Sequence, residues 1–132
     1  MSESTKHTIM VVEDEVLLLQ AITKKLELSD LQPIPCASGT EALNNLATGE
    51  VKPDAIWLDY YLKDMNGLEF LQRVRQNPEW AAIPVIVVSN SASPVKITSV
   101  LALGVSKYVL KAEYRLEDII KIFKDFIEAD IT

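Results

Sequence analysis

Four short, uninterrupted apolar runs, Ile9-Met10-Val11-Val12, Ala55-Ile56-Trp57-Leu58, Val85-Ile86-Val87-Val88 and Tyr108-Val109-Leu110, constrain this chain more than any other feature. They are rich in β-branched residues and too short to be buried helices, so they read as strands. Unbroken apolarity, as opposed to alternation, requires both faces of a strand to be covered, which is the condition of a parallel sheet layered between helices.

The segments between the runs have helical spacing: Leu19, Ile22 and Leu26; Leu43, Leu46 and Ala47; Leu68, Leu71 and Val74; Ile97, Val100 and Leu101; Leu116, Ile119, Ile120, Phe123 and Ile127. A weaker strand at 33–36 completes the alternation. Helix starts are marked by Ser38 with Glu41 and Asn66 with Glu69 at capping-box spacing, and by Ser93 before Pro94. Gly104 is placed to end the fourth helix. Five strand and helix units joined by right-handed crossovers give a doubly wound α/β domain. No repeat, linker or low-complexity tract interrupts them, so one domain over 1–132, with a core of about 8–128, is expected, leaving no stretch for an output domain.

The balance of 13 basic against 19 acidic residues gives a net charge of −6, which disfavours direct contact with nucleic acid. The longest charge-free stretch holds Pro84, Ser89, Asn90, Ser91, Ser93 and Pro94, so it does not suit a membrane-spanning helix. With the single cysteine Cys36 and no signal-peptide pattern at the start, a soluble protein of the reducing cytoplasm is expected.

In open parallel sheets, ligands bind beyond the carboxyl ends of the strands. The first run ends in Glu13-Asp14, the third in Asp59, the fourth in Ser89-Asn90 and the fifth in Lys111, so four strands deliver polar groups to one edge. Crowded carboxylates call for protons or a hard divalent cation, and Mg2+ suits few carboxylates together with phosphate. A carboxylate nucleophile forms an acyl phosphate when metal, cation and hydrogen-bond donors neutralise the incoming oxygens, and Asp14, Lys111 and Ser89 are of the right types.

Val12-Glu13-Asp14, Leu58-Asp59, Met65-Asn66-Gly67, Val88-Ser89 and Tyr108-Val109-Leu110-Lys111 together resemble the successive signatures of response-regulator receiver domains, including the stand-alone chemotaxis regulators. Each motif alone is weak; five in register with five strand and helix units are specific. The resemblance implies a flavodoxin-like sheet of order 2-1-3-4-5 flanked by five helices. It also implies phosphorylation of Asp59 by a sensor histidine kinase or histidine phosphotransfer protein. Mg2+ is then held by Asp14, Asp59 and the Tyr61 backbone carbonyl, and by Glu13 through water. Ser89 and Lys111 contact the phosphoryl oxygens, and the backbone N–H groups of Tyr60 and Asn90 complete the cradle. Ser89 and Tyr108 act as the switch, an output partner reads the face of helix four, strand five and helix five, and homodimerisation is left open. Such a protein is a signalling switch that catalyses only its own phosphorylation and dephosphorylation.

Some positions depart from the family pattern. Lys63 and Ala112 stand where receivers have proline, the second often after a cis peptide; before alanine a cis bond costs roughly 2.5–4 kcal/mol, so the geometry at Lys111-Ala112 is open. Tyr61 and Asn90 are bulky at the mouth, which leads to an expectation of slow autodephosphorylation. The missing prolines also raise an alternative, a receiver-like interaction module that works without phosphorylation; retention of Glu13, Asp14, Asp59, Ser89 and Lys111 argues against it. An aspartyl phosphatase would want a carboxylate where Tyr61 stands. No G-x-G-x-x-G turn or P-loop supports a nucleotide site, and the single histidine, His7, excludes a histidine-rich metal centre.

Overall fold

The computed structural model describes residues 6–131, so positions 1–5 and 132 of the expected domain lie outside the described residues. Strand and helix alternate as the spacing predicts: β1 (Thr8–Val12), α1 (Val16–Leu28), β2 (Gln32–Cys36), α2 (Gly39–Thr48), β3 (Ala55–Asp59), α3 (Gly67–Gln76), β4 (Val85–Ser89), α4 (Pro94–Ala102), β5 (Lys107–Leu110) and α5 (Leu116–Ile131). All pairings are parallel and the strand order is β2-β1-β3-β4-β5, the expected doubly wound sheet.

Side chains alternate across a strand, so each central strand feeds two cores. Met10, Val12, Ile56, Leu58, Val85 and Val87 pack with Leu46, Phe70, Leu71, Val74 and Val100 from α2, α3 and α4. On the other face Ile9, Val11, Trp57, Ile86 and Val88 pack with Ile22, Leu26, Ile119, Ile120 and Phe123 from α1 and α5. Trp57 stacks on Phe123 with ring centroids 5.3 Å apart. β3 and β4 are buried along their whole length, as unbroken apolarity requires.

The fifth strand departs from that reading. Of Tyr108, Val109 and Leu110 only Val109 is buried, because β5 is an edge strand. On the helices, Ala42 replaces the expected Ala47 in the core, and Leu101 points outward at 48% exposure. β2 is the other edge. Gln32 N–H donates to the His7 carbonyl, so by alternation the positions of Pro33 and Pro35 face away from β1, where a missing N–H costs no ladder bond and blunts the edge.

The caps form as their spacing suggests, with one shift. Asn66 and Glu69 make the complete capping box, whereas Ser38 accepts from Glu41 N–H while the Glu41 carboxylate reaches Ala37 N–H, one residue early. Gly104 follows α4 at φ +80°, the left-handed conformation expected of it. No cis peptide occurs among the described residues; Lys111–Glu113 forms a short 3-10 turn after β5. No helix among them is long and apolar enough to cross a membrane. The Cys36 thiol is buried and its pKa is pushed up to about 11 by that burial, so it is chemically quiet.

Arg75, at the end of α3, ties the back of the molecule together. Its guanidinium donates to the carbonyls of Leu103, Ala81, Ile83 and Gly104 at 2.8–3.3 Å, joining α3 to the loops before β4 and β5. These bonds are charge-assisted, and methionine fills similar space without a donor. Arg75→Met is expected to lower stability by about 2–4 kcal/mol, read as an earlier urea midpoint with an unchanged slope. A loss below about 0.5 kcal/mol would mean that water replaces the guanidinium freely.

Candidate functional site

The register of the sheet brings the strand-end residues together. Val12 is level with Leu58, so the next residues, Glu13 and Asp59, emerge side by side. Asp59 pairs with Val88, and Ser89 with Leu110, so Ser89 and Lys111 follow on the neighbouring strands. Oxygens of Glu13, Asp14 and Asp59 lie within 4.8 Å of one another. Lys111 Nζ sits 3.0 Å from Glu13 Oε1 and 3.6 Å from Asp59 Oδ1.

Glu13, Asp59 and Ser89 are the buried polar side chains of the described residues, at 1%, 6% and 0% exposure. Two buried carboxylates and a half-buried third share one nearby ammonium, which leaves negative charge uncompensated. The Asp59 pKa is accordingly pushed up from 3.8 to about 6. Burial is the main cause; Glu13 and Asp14 add to it, while Lys111 and the Tyr61 backbone N–H oppose it. Neither Glu13 nor Asp14 lies in the first turn of α1, which carries no acidic residue, so helix-end electrostatics does not account for their placement.

The surrounding loops hold these groups in place. Glu13 Oε2 accepts from Glu15 N–H at 3.1 Å, and Asp14 Oδ2 accepts from Lys63 N–H at 2.6 Å. Lys63, where receivers have proline, therefore supplies a donor that proline lacks. Asp64 caps α2 from outside, accepting from Gly39 N–H, Thr40 N–H and the Thr40 hydroxyl at 2.7–3.1 Å. Tyr60 is buried, and its carbonyl accepts from Gly67 N–H at 2.6 Å. That bond belongs to the bridge between Tyr61 and Asn66 and leaves the Tyr61 carbonyl unconsumed by it. A Cβ on Gly67 would come within 3.1 Å of Tyr60 Cα, a tight contact that glycine avoids.

Ser89 Oγ accepts from Ser91 N–H at 3.1 Å, and the Ser91 carbonyl accepts from the Tyr108 hydroxyl at 2.7 Å. Ser89 and Tyr108 thus meet through one residue, Ser91, which sequence reasoning did not single out. Asn90 is exposed beside them. Sequence reasoning also missed Lys96 on α4, whose ammonium lies 5.0 Å from the Tyr61 ring centroid. A cleft of about 850 Å³ near Thr48, Lys52, Trp80 and Pro84 lies at the opposite, amino end of the strands, away from these groups.

Three carboxylates whose oxygens lie this close together are hard donors that fit a small divalent cation.

Comparison with known proteins places the domain among its relatives. The two-component response regulator ARR8 of Arabidopsis thaliana is 27% identical over 92% of this chain and 61% of its own length. The chain spans 49–65% of the length of the first plant regulators it matches. Among solved structures, the phosphorylated cyanobacterial phytochrome response regulator RcpA is 27% identical with a TM-score of 0.79, covering 94% of this chain and 93% of its own. The Mn(2+)-bound form of response regulator Rcp1 is 28% identical with a TM-score of 0.76, covering 88% of each chain. The sequence pattern of the response regulator receiver domain matches residues 9–124, and this chain belongs to that family of two-component signalling domains.

Proposed function

We propose that Asp59 accepts a phosphoryl group from a sensor histidine kinase or a histidine phosphotransfer protein, and that the acyl phosphate switches the α4, β5 and α5 face toward an output partner. The observation that carries this reading is the convergence of Glu13, Asp14 and Asp59 on one point with Lys111 Nζ between two of them. That RcpA is a phosphorylated relative and Rcp1 a Mn(2+)-bound one supports it. The protein acts as a cytoplasmic switch that catalyses only its own phosphorylation and dephosphorylation, as a single receiver domain within 1–132 whose homodimerisation is open.

Glu13, Asp14, Asp59 and the Tyr61 carbonyl would hold Mg2+, which when bound neutralises phosphoryl oxygens and draws Asp59 into its ionised form. An Asp59 oxygen attacks phosphorus in line with the phosphohistidine nitrogen; the P–O bond forms, the P–N bond breaks, and its electron pair returns to the imidazole. Lys111 moves from Glu13 to a phosphoryl oxygen, and the backbone N–H groups of Tyr60 and Asn90 donate to the others. Ser89 turns to the same group and releases Ser91 N–H. Because Ser91 also holds the Tyr108 hydroxyl, that release reaches β5 and the α4 face.

The test is incubation with acetyl phosphate, with and without Mg2+, of wild type and Asp59→Asn. Incorporation of phosphate that needs both Mg2+ and Asp59 is expected. Absence of such incorporation would favour the phosphorylation-independent interaction module.

A further inference from the structure

The loop between β3 and α3 carries a hydrogen bond that depends on this chain's departure from the family pattern. Lys63 N–H donates to Asp14 Oδ2 at 2.6 Å, and proline at that position would have no N–H to donate. The acceptor is a carboxylate and the donor is main chain, so the bond is charge-assisted and the exposed Lys63 side chain takes no part in it. Asp14 Oδ1 is left free of it.

The amide is itself held from behind. The loop is closed at its base by the bridge between Tyr61 and Asn66 and by Gly67 N–H on the Tyr60 carbonyl. On its far side Asp64 accepts from the first two N–H groups of α2, those of Gly39 and Thr40, at 3.1 and 2.8 Å, and from the Thr40 hydroxyl at 2.7 Å. Buried Met65 lies so close to α2 that a Cβ on Gly39 would fall 2.7 Å from its Cγ and Sδ. Lys63 N–H is therefore fixed between α2 and the end of β3, and it fixes one Asp14 oxygen in turn.

A carboxylate can meet a divalent ion through one oxygen or through both, and that choice discriminates between ions. Mg2+ demands a compact octahedral shell, whereas the larger Ca2+ takes more oxygens and accepts a carboxylate through both. Hydrogen bonds that orient a ligating side chain carry a sizeable share of metal affinity.

We propose that the Lys63 backbone amide is a positioning group for Asp14: by engaging Oδ2 it presents Asp14 as a one-oxygen ligand and biases the acidic site toward Mg2+ over Ca2+. The proposal rests on Glu13, Asp14 and Asp59 being the metal site. Asp64 and Met65 set the strength of the effect, because they fasten the loop that carries the amide.

The test titrates the chain, stripped of metal, with Mg2+ and separately with Ca2+, following backbone amide NMR shifts around Asp59. Lys63→Pro is expected to weaken Mg2+ binding about tenfold and Ca2+ binding less, lowering the preference for Mg2+ by about threefold or more. Lys63→Ala keeps the amide and should bind both ions as wild type does. Asp64→Ala should move both affinities in the direction of Lys63→Pro, by a smaller factor. One readout needs no metal: the Lys63 amide proton, downfield in wild type because its bond is short, should move upfield in Asp14→Ala, whether or not Lys63→Pro folds. An unmoved amide proton, Mg2+ binding by Lys63→Pro at wild-type strength, or an equal loss in Lys63→Ala would each overturn the role of the amide. Equal weakening of both ions in Lys63→Pro would overturn it too, in favour of a loop that only supports Asp14. A wild type with no metal-dependent shifts around Asp59, its Lys63 amide proton still answering to Asp14, overturns the metal reading instead, and with it this role for the amide.

Discussion

In metal-free buffer near neutral pH, Asp59→Asn is expected to unfold at a temperature roughly 5–10 °C above wild type. Asp59 keeps its proton up to about pH 6 in the native state, against 3.8 for an unperturbed carboxyl. Between those values the native chain binds more protons than the unfolded one, so stability falls as pH rises. The unfavourable contribution is absent below the unfolded pKa and complete above the folded one, where it reaches at most about 3 kcal/mol. Asparagine has nearly the same shape and no charge, so the advantage of the variant should be close to zero at pH 4 and grow to a plateau above pH 6. Asp64, whose pKa is lowered although its own partial burial opposes this, by its bonds from Thr40 and Gly39, contributes stability that is lost as pH falls in both proteins. The difference in urea midpoints between variant and wild type therefore isolates Asp59. An advantage already complete at pH 4 would point to packing and not to charge. Mg2+ should raise the melting temperature of wild type and change that of Asp59→Asn little.

This charge conflict was half legible in the sequence. Acidic residues ending apolar runs announce a crowded edge, because a strand buried on both faces leaves them nowhere else to go. That reasoning located Glu13, Asp14, Asp59, Ser89 and Lys111, and the central strands β1, β3 and β4. It weakened toward the edges: Pro33 and Pro35 left β2 the faintest strand, read at 33–36, Leu110 looks apolar enough for a core that the edge position of β5 does not provide, and Leu101 on α4 points outward. What it missed has a common physical cause. Arg75 on distant carbonyls, Asp64 on the α2 terminus and Lys96 on Tyr61 are contacts between loops and helix ends far apart in the chain, and no periodicity encodes them. Lys96 alone left a trace, a cation in the first turn of a helix, where local electrostatics opposes it.

Lys111→Met is expected to cost stability and function together, and the two losses can be separated. Without the ammonium, Glu13 and Asp59 face each other as buried carboxylates, and breaking such a cluster by removing one partner costs about 3 kcal/mol or more. Part of that loss is relieved when Asp59 takes up a proton, which it does at higher pH once Lys111 no longer lowers its pKa, so the destabilisation should be largest in alkaline buffer and shrink as pH falls toward about 6, the wild-type value. The rate of phosphate incorporation at Asp59 should fall by about 100-fold, the usual scale for losing one donor to a developing oxyanion. Adding Glu13→Gln removes the unpaired charge without replacing the donor. The double variant should therefore regain much of the stability at pH 7.5 while its phosphorylation stays slow. Lys111→Arg keeps the charge but on a wider, planar group, and should retain more stability than rate. If Lys111→Met were equally destabilised at every pH, the lysine stem would be acting through packing. If Glu13→Gln restored both stability and rate, Lys111 would serve to neutralise Glu13 and would have no direct part in the transfer.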